Sequence, residues 1–74
     1  MFIVLNMETG DFYSESPALK VEAKRAGIRW DHRSILPRFA RPYARYSDAV
    51  KRSQRLSDAT HSICAVVRLA DFTA

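Results

Sequence analysis

The 74-residue sequence predicts an α+β domain: a small antiparallel sheet of about three strands, built from an N-terminal hairpin and a C-terminal strand, with two helices packed on one face. Three observations carry this. Apolar, β-prone runs stand at both ends of the chain, "FIVLNM" at Phe2–Met7 and "ICAVVRL" at Ile63–Leu69. Two stretches with helical spacing and helix-end punctuation, "SPALKVEAKRAG" and "SDAVKRSQRLSDA", lie between them. No repeat, linker or low-complexity tract divides the chain, so residues 1–74 read as a single domain.

Taken in order, "FIVLNMETGDFYS" is a hairpin, because two β-prone runs flank "ETGD" and Gly10 supplies the positive φ that a short bulged loop demands. In the first helix Ser16 stands where a side chain accepts from the free N–H groups, Pro17 suits the first helical position and Gly27 suits the left-handed residue that ends it. Leu19, Ala23 and Ala26 share its buried stripe, and Lys20, Lys24 and Arg25 face outward. Between Ile28 and Tyr46, Pro37 and Pro42 exclude one continuous helix, leaving an extended piece, a loop and one helical turn. Trp30, Ile35, Leu36 and Phe39 belong mostly to the core, since so short a chain has little else to bury. The second helix is capped by Ser47 and lined by Ala49, Val50, Ser53 and Leu56; Lys51, Arg52 and Arg55 stand opposite. In the final strand Ile63, Ala65, Val67 and Leu69 take one face and Cys64, Val66 and Arg68 the other, and this strand pairs with the first.

The net charge of +4 hides an asymmetry: from Lys20 to Arg55 there are eleven Lys or Arg against Glu22, Asp31 and Asp48, or +8, whereas Arg68 against Glu8, Asp11, Glu15, Asp58 and Asp71 leaves −4 elsewhere. Charge concentrated in this way points to an anionic partner. A plainer account is a solvated face with local pairs, Asp48 with Arg52 and Arg55 with Asp58. The longest apolar run, "FIVL", is far shorter than the roughly 20 residues of a membrane span, and no basic segment precedes it as in a signal peptide. The expectation is a soluble protein without a membrane partner, and the lone Cys64, which allows no internal disulfide, fits a cytoplasmic setting.

Chemistry is sparse. His61 and Cys64 are three residues apart in a strand and face opposite sides, which does not make a thiolate–imidazole pair. Two histidines, His32 and His61, and one cysteine lack the short-range spacing of a zinc site, and Gly10 and Gly27 alone build no phosphate loop. The sequence therefore predicts no catalytic residue, no metal and no cofactor. What remains is "RFARPYARY" at Arg38–Tyr46, read as a surface loop that Phe39 anchors to the core. Arginine offers a planar fork to phosphate or carboxylate, and Arg38, Arg41 and Arg45 recur at spacings of three and four. With Lys20, Lys24, Arg25, Arg29, Lys51, Arg52 and Arg55 they make a candidate basic binding face, on which Tyr43 and Tyr46 are candidates for stacking on unpaired bases.

The order "VLNMETGDFY", a helix, "YSDAVKRSQRL" and a closing strand "ICAVVRL" resembles the layout of very small phage and mobile-element accessory proteins, including some anti-CRISPR proteins. The resemblance is one of size and architecture. It implies a stoichiometric inhibitor or modulator seated on a host complex, often one that handles nucleic acid. The leading expectation is thus a non-enzymatic protein that docks its basic face on an acidic site of a host protein or nucleoprotein complex. The alternative is direct binding of DNA or RNA by the same arginines. A homodimer in which the apolar N-terminal strand pairs across a two-fold axis is a further possibility at this length.

Overall fold

The computed structural model describes residues 1–72. Phe2–Asn6 forms strand β1, and the turn that follows is closed by the Asn6 side chain, whose Oδ1 accepts from the Glu8 and Thr9 amides at 2.9 and 3.2 Å. Gly10 takes φ 77° and returns the chain into β2, Phe12–Tyr13, with Leu5 opposite Phe12, as the hairpin reading required. Helix α1 spans Pro17–Arg25, β3 is the two-residue strand Arg33–Ser34, a 3-10 turn covers Pro37–Phe39, α2 spans Tyr46–Thr60 and β4 is Cys64–Arg68. A last 3-10 turn follows at Leu69–Asp71.

The sheet runs β3-β2-β1-β4 with every neighbouring pair antiparallel, so the fold is α+β as expected, with a fourth short strand contributed by the segment between Ile28 and Tyr46. β4 pairs with β1 along its whole length, from Phe2 opposite Arg68 to Asn6 opposite Cys64. The first strand is consequently interior, held by β2 on one side and β4 on the other, and cannot be the strand that pairs with a second copy.

Alternation along the strands sorts the core into two layers. On one face Val4, Tyr13 and Ala49 are buried together, with Phe2, Tyr43, Leu56, Cys64 and Val66 packed around them; α2 supplies the cover. On the other, Ile3, Phe12 and Ala40 are buried with Leu5, Val67 and Leu69, and Phe72 meets the Phe12 ring edge-on at 5.3 Å. The molecule measures 34 × 30 × 19 Å, a slab about two layers thick.

Several local expectations change. Ser16 sits at the start of α1 but makes no side-chain cap, and α1 contains no buried residue: Leu19 and Ala23 are half-buried and Ala26 is exposed. Pro17 opens the helix and Gly27, at φ 69°, follows its end as read. α2 begins two residues early, with Arg45 at the cap position and Ser47 inside the first turn. Trp30 and Phe39 are half-buried, but Ile35 and Leu36 are 76% and 41% exposed, because Pro37 and the short β3 hold that segment at the rim. "RFARPYARY" is stitched down by backbone bonds: Ser14 Oγ donates to the Phe39 carbonyl, the Arg41 amide to Tyr13, and Phe2 and Tyr43 exchange two bonds of 2.8 Å.

A basic and aromatic strip as the candidate functional site

The ten basic residues picked out in the sequence do not form one uniform face. Arg41 and Arg52 are engaged inside the molecule. Arg41 Nε donates to Glu15 Oε2 at 2.9 Å, its guanidinium lies 4.8 Å from the Tyr43 ring centre, and it also reaches the Pro42 carbonyl. Arg52 lies 4.8 Å over the Tyr13 ring, and a hydrogen bond to Tyr43 strengthens its hold on its proton. Neither is a free hand for a partner, and Arg52 does not pair with Asp48, nor Arg55 with Asp58. Among the described residues the ion pairs join Arg33 to Asp11 and Asp31, Arg41 to Glu15, and Arg68 to Asp71.

Lys20, Lys24, Arg25, Arg29, Arg38, Arg45, Lys51 and Arg55 are exposed and have no acidic partner among the described residues. Arg38 rests 5.0 Å from the Phe39 ring centre. The proposed tyrosines divide. Tyr43 is half-buried, bridged to Phe2 and covered by Arg41, so its ring is not available to a base. Tyr46 is 57% exposed and meets Phe2 edge-on at 5.4 Å.

The structure brings together three aromatic residues that no pattern in the sequence groups. The Trp30 and His32 rings lie 4.1 Å apart, and His32 stacks parallel to Tyr13 at 6.3 Å. His32 achieves this with φ 58°, an uncommon left-handed conformation for a residue with a side chain, and its carbonyl accepts from the Ser14 amide at 2.9 Å. Lys20 and Lys24 of α1 border a cleft of about 390 Å³ whose floor is Ile28, Trp30 and His32. Beyond Tyr13 the strip continues to Arg52 and to a second cleft of about 180 Å³ lined by Tyr43, Asp48, Lys51, Arg52 and Arg55. The result is a row of Trp30, His32 and Tyr13 with lysines at one end and α2 cations at the other.

Electrostatics within the strip are strongly biased. Burial, reinforced by the hydrogen bond from its hydroxyl to Glu15 Oε1 at 3.0 Å, pushes Tyr13 up to about 12. Burial alone would raise Glu15, but the hydrogen bonds from Tyr13 and Arg41 outweigh it and hold this carboxyl below its usual range. Cys64 is a half-buried member of the sheet whose thiol is pushed up by burial and by the nearby Glu8, which disfavours a nucleophilic thiolate. A further cleft of about 320 Å³ contains Asp11, Asp31 and His32, but Arg33 bridges its two carboxylates. No cluster of three or more His, Cys, Asp or Glu able to hold a metal occurs among the described residues. None of their helices is long and apolar enough to cross a membrane.

Fold and strip together define a two-layer α+β domain with a basic, aromatic surface. In comparisons with known proteins the chain matches no family model, no curated sequence and no solved structure.

Proposed function

We propose that this is a non-enzymatic binding protein that uses its basic surface to occupy an acidic site on a larger protein or nucleoprotein complex, as an inhibitor or modulator of the kind its layout resembles. One observation carries the reading: Lys20, Lys24, Arg25, Arg29, Lys51 and Arg55 are exposed and have no acidic partner among the described residues, in a molecule that does pair Arg33, Arg41 and Arg68. Unpaired cations of this density favour fast, salt-dependent encounter with an anionic surface.

A second reading is favoured by a different observation. The Trp30–His32 pair beside Lys20 and Lys24, backed by the buried Tyr13 ring, has the make-up of a stacking platform for single-stranded nucleic acid, where each stacked base contributes about 1–3 kcal/mol. It moves the stacking role from Tyr43 to Trp30 and His32.

One titration separates the two. Fluorescence anisotropy is measured with a labelled Asp/Glu-rich peptide and with labelled single- and double-stranded DNA and RNA, at low and moderate salt. The leading reading expects peptide binding that Lys24→Glu with Arg55→Glu weakens at least tenfold, and no oligonucleotide binding. Oligonucleotide binding that falls steeply with salt and is lost in Trp30→Ala would give the function to the second reading. Binding to none of the probes would overturn both.

A further inference from the structure

The two ends of the sheet are treated differently. The β3 edge has two residues and a charged Arg33, and a short, charged edge is an ordinary way to discourage strand addition. The β4 edge is five residues long, "CAVVR", and carries no proline. Its one charge, Arg68, is turned to Asp71.

The ladder settles which backbone groups are open. Phe2 bonds with Tyr43 and Asn6 with Asp11 and Gly10, so the even-numbered residues of β1 point away from β4. The Met7 amide donates to Ile63 and the Leu69 amide to Met1, so the odd-numbered residues of β4 bond inward to β1. By the alternation of an antiparallel ladder, the N–H and C=O of Val66 and Arg68 and the N–H of Cys64 point outward. Of this outer row, only the Cys64 carbonyl has a partner among the described residues, the Ser53 hydroxyl at 3.1 Å.

The flank of α2 beside this edge is uncharged. At 3.6 residues per turn Tyr46, Val50, Gln54 and Ser57 share one flank, and Asp48, Arg52 and Arg55 share the other. Ser53 reaching Cys64 sets the first flank over β4, and Arg52 lying over Tyr13 sets the second over β2. A chain of net charge +4 thus keeps its α2 cations away from the one edge that a second copy would approach.

We propose that the protein is a homodimer in which β4 pairs antiparallel with β4 of a second copy about a two-fold axis at Val66. In that register Val66 meets itself, Cys64 meets Arg68, Ala65 meets Val67, and Ile63 meets Leu69. Every outward N–H and C=O then has a partner, and the two four-stranded sheets become one. Ile63, 69% exposed in the single chain, gains an apolar neighbour, and the two α2 helices run antiparallel along their uncharged flanks. A strand from an unrelated protein would satisfy the same backbone groups. The self-complementary register and the absence of charge on the flank favour a second copy.

Mass is measured by sedimentation equilibrium at high micromolar concentration, together with concentration-dependent amide hydrogen exchange. The expected mass is twice the 8.5 kDa of the chain, with the Val66 and Arg68 amides protected only at high concentration. Val66→Pro removes an outward N–H and no bond to β1, and should return the mass to that of one chain. Ile63→Lys places a charge at the seam from an exposed position and should do the same even if the proline variant fails to fold. A single-chain mass for the wild type, or a dimer that survives Ile63→Lys with unprotected Val66 and Arg68 amides, would overturn the proposal.

Discussion

Tyr13 and Glu15 stand two residues apart at the end of β2, and the bond between them makes stability depend on pH at both extremes. Glu15 is held below its usual range in the fold, so its contribution is present in full above the unfolded carboxyl pKa and is lost as the pH falls through the folded value. Tyr13 runs the opposite way: its contribution is complete below pH 10.0, the unfolded value, and disappears as the pH rises to about 12. Tyr13→Phe should abolish the alkaline loss, shift the acid loss to higher pH and cost about 0.5–1.5 kcal/mol at neutrality. Thermal melts across the pH range, with phenolate absorbance recorded on the alkaline side, check all three. An unchanged alkaline limb would mean that the tyrosine in question is another one. The same two residues each engage a cation: Glu15 pairs with Arg41, and the Tyr13 ring carries Arg52.

The two helices show how far an element can be read from its residues. α2 carries its own evidence, with Ala49 and Ser53 buried and Leu56 in the core, as its spacing demanded. α1 has the same clarity of punctuation, yet it lies at the rim with no residue fully buried, because its stripe of Leu19, Ala23 and Ala26 is too small to need the sheet. Helix limits were less legible: both serines expected to cap proved not to, since the chain enters α2 from Arg45 in extended geometry and Ser16 makes no cap bond. The end of α2 offers a test at this scale. His61 occupies the left-handed position at φ 55°, which costs a side-chain-bearing residue about 1–2 kcal/mol, whereas glycine loses about 0.5–1 kcal/mol in chain entropy. His61→Gly should therefore raise stability by about 0.5–1 kcal/mol, read as the urea midpoint at unchanged slope. A fall in the midpoint would assign His61 a contact that outweighs its backbone conformation.

Across the whole molecule, the class of fold, the N-terminal hairpin and the union of first and last strands were all legible, because "FIVLN" and "CAVVR" are short, continuous apolar runs rich in β-branched residues, which suit strands packed on both faces. The site was legible only as charge. Which arginines are engaged depends on partners far apart in sequence, Arg41 on Glu15 and Arg52 on Tyr13, and no local pattern announces either. The Trp30–His32–Tyr13 row was hidden for the same reason, compounded by a histidine whose left-handed backbone breaks strand alternation. β3 was invisible because two residues carry no period.

The pairing of β1 with β4 also sets when the protein can exist during its synthesis. Phe2 through Asn6 are made some sixty residues before their partners Cys64 through Arg68, so the central strand waits on the ribosome with Ile3 and Val4 uncovered. The sheet is completed only once β4 has cleared the exit tunnel, and nascent chains stalled before Cys64 emerges should stay open to protease throughout. For that interval the hairpin and both helices are tenants of an unfinished sheet, with the apolar run "FIVLN" the segment most open to wrong contacts.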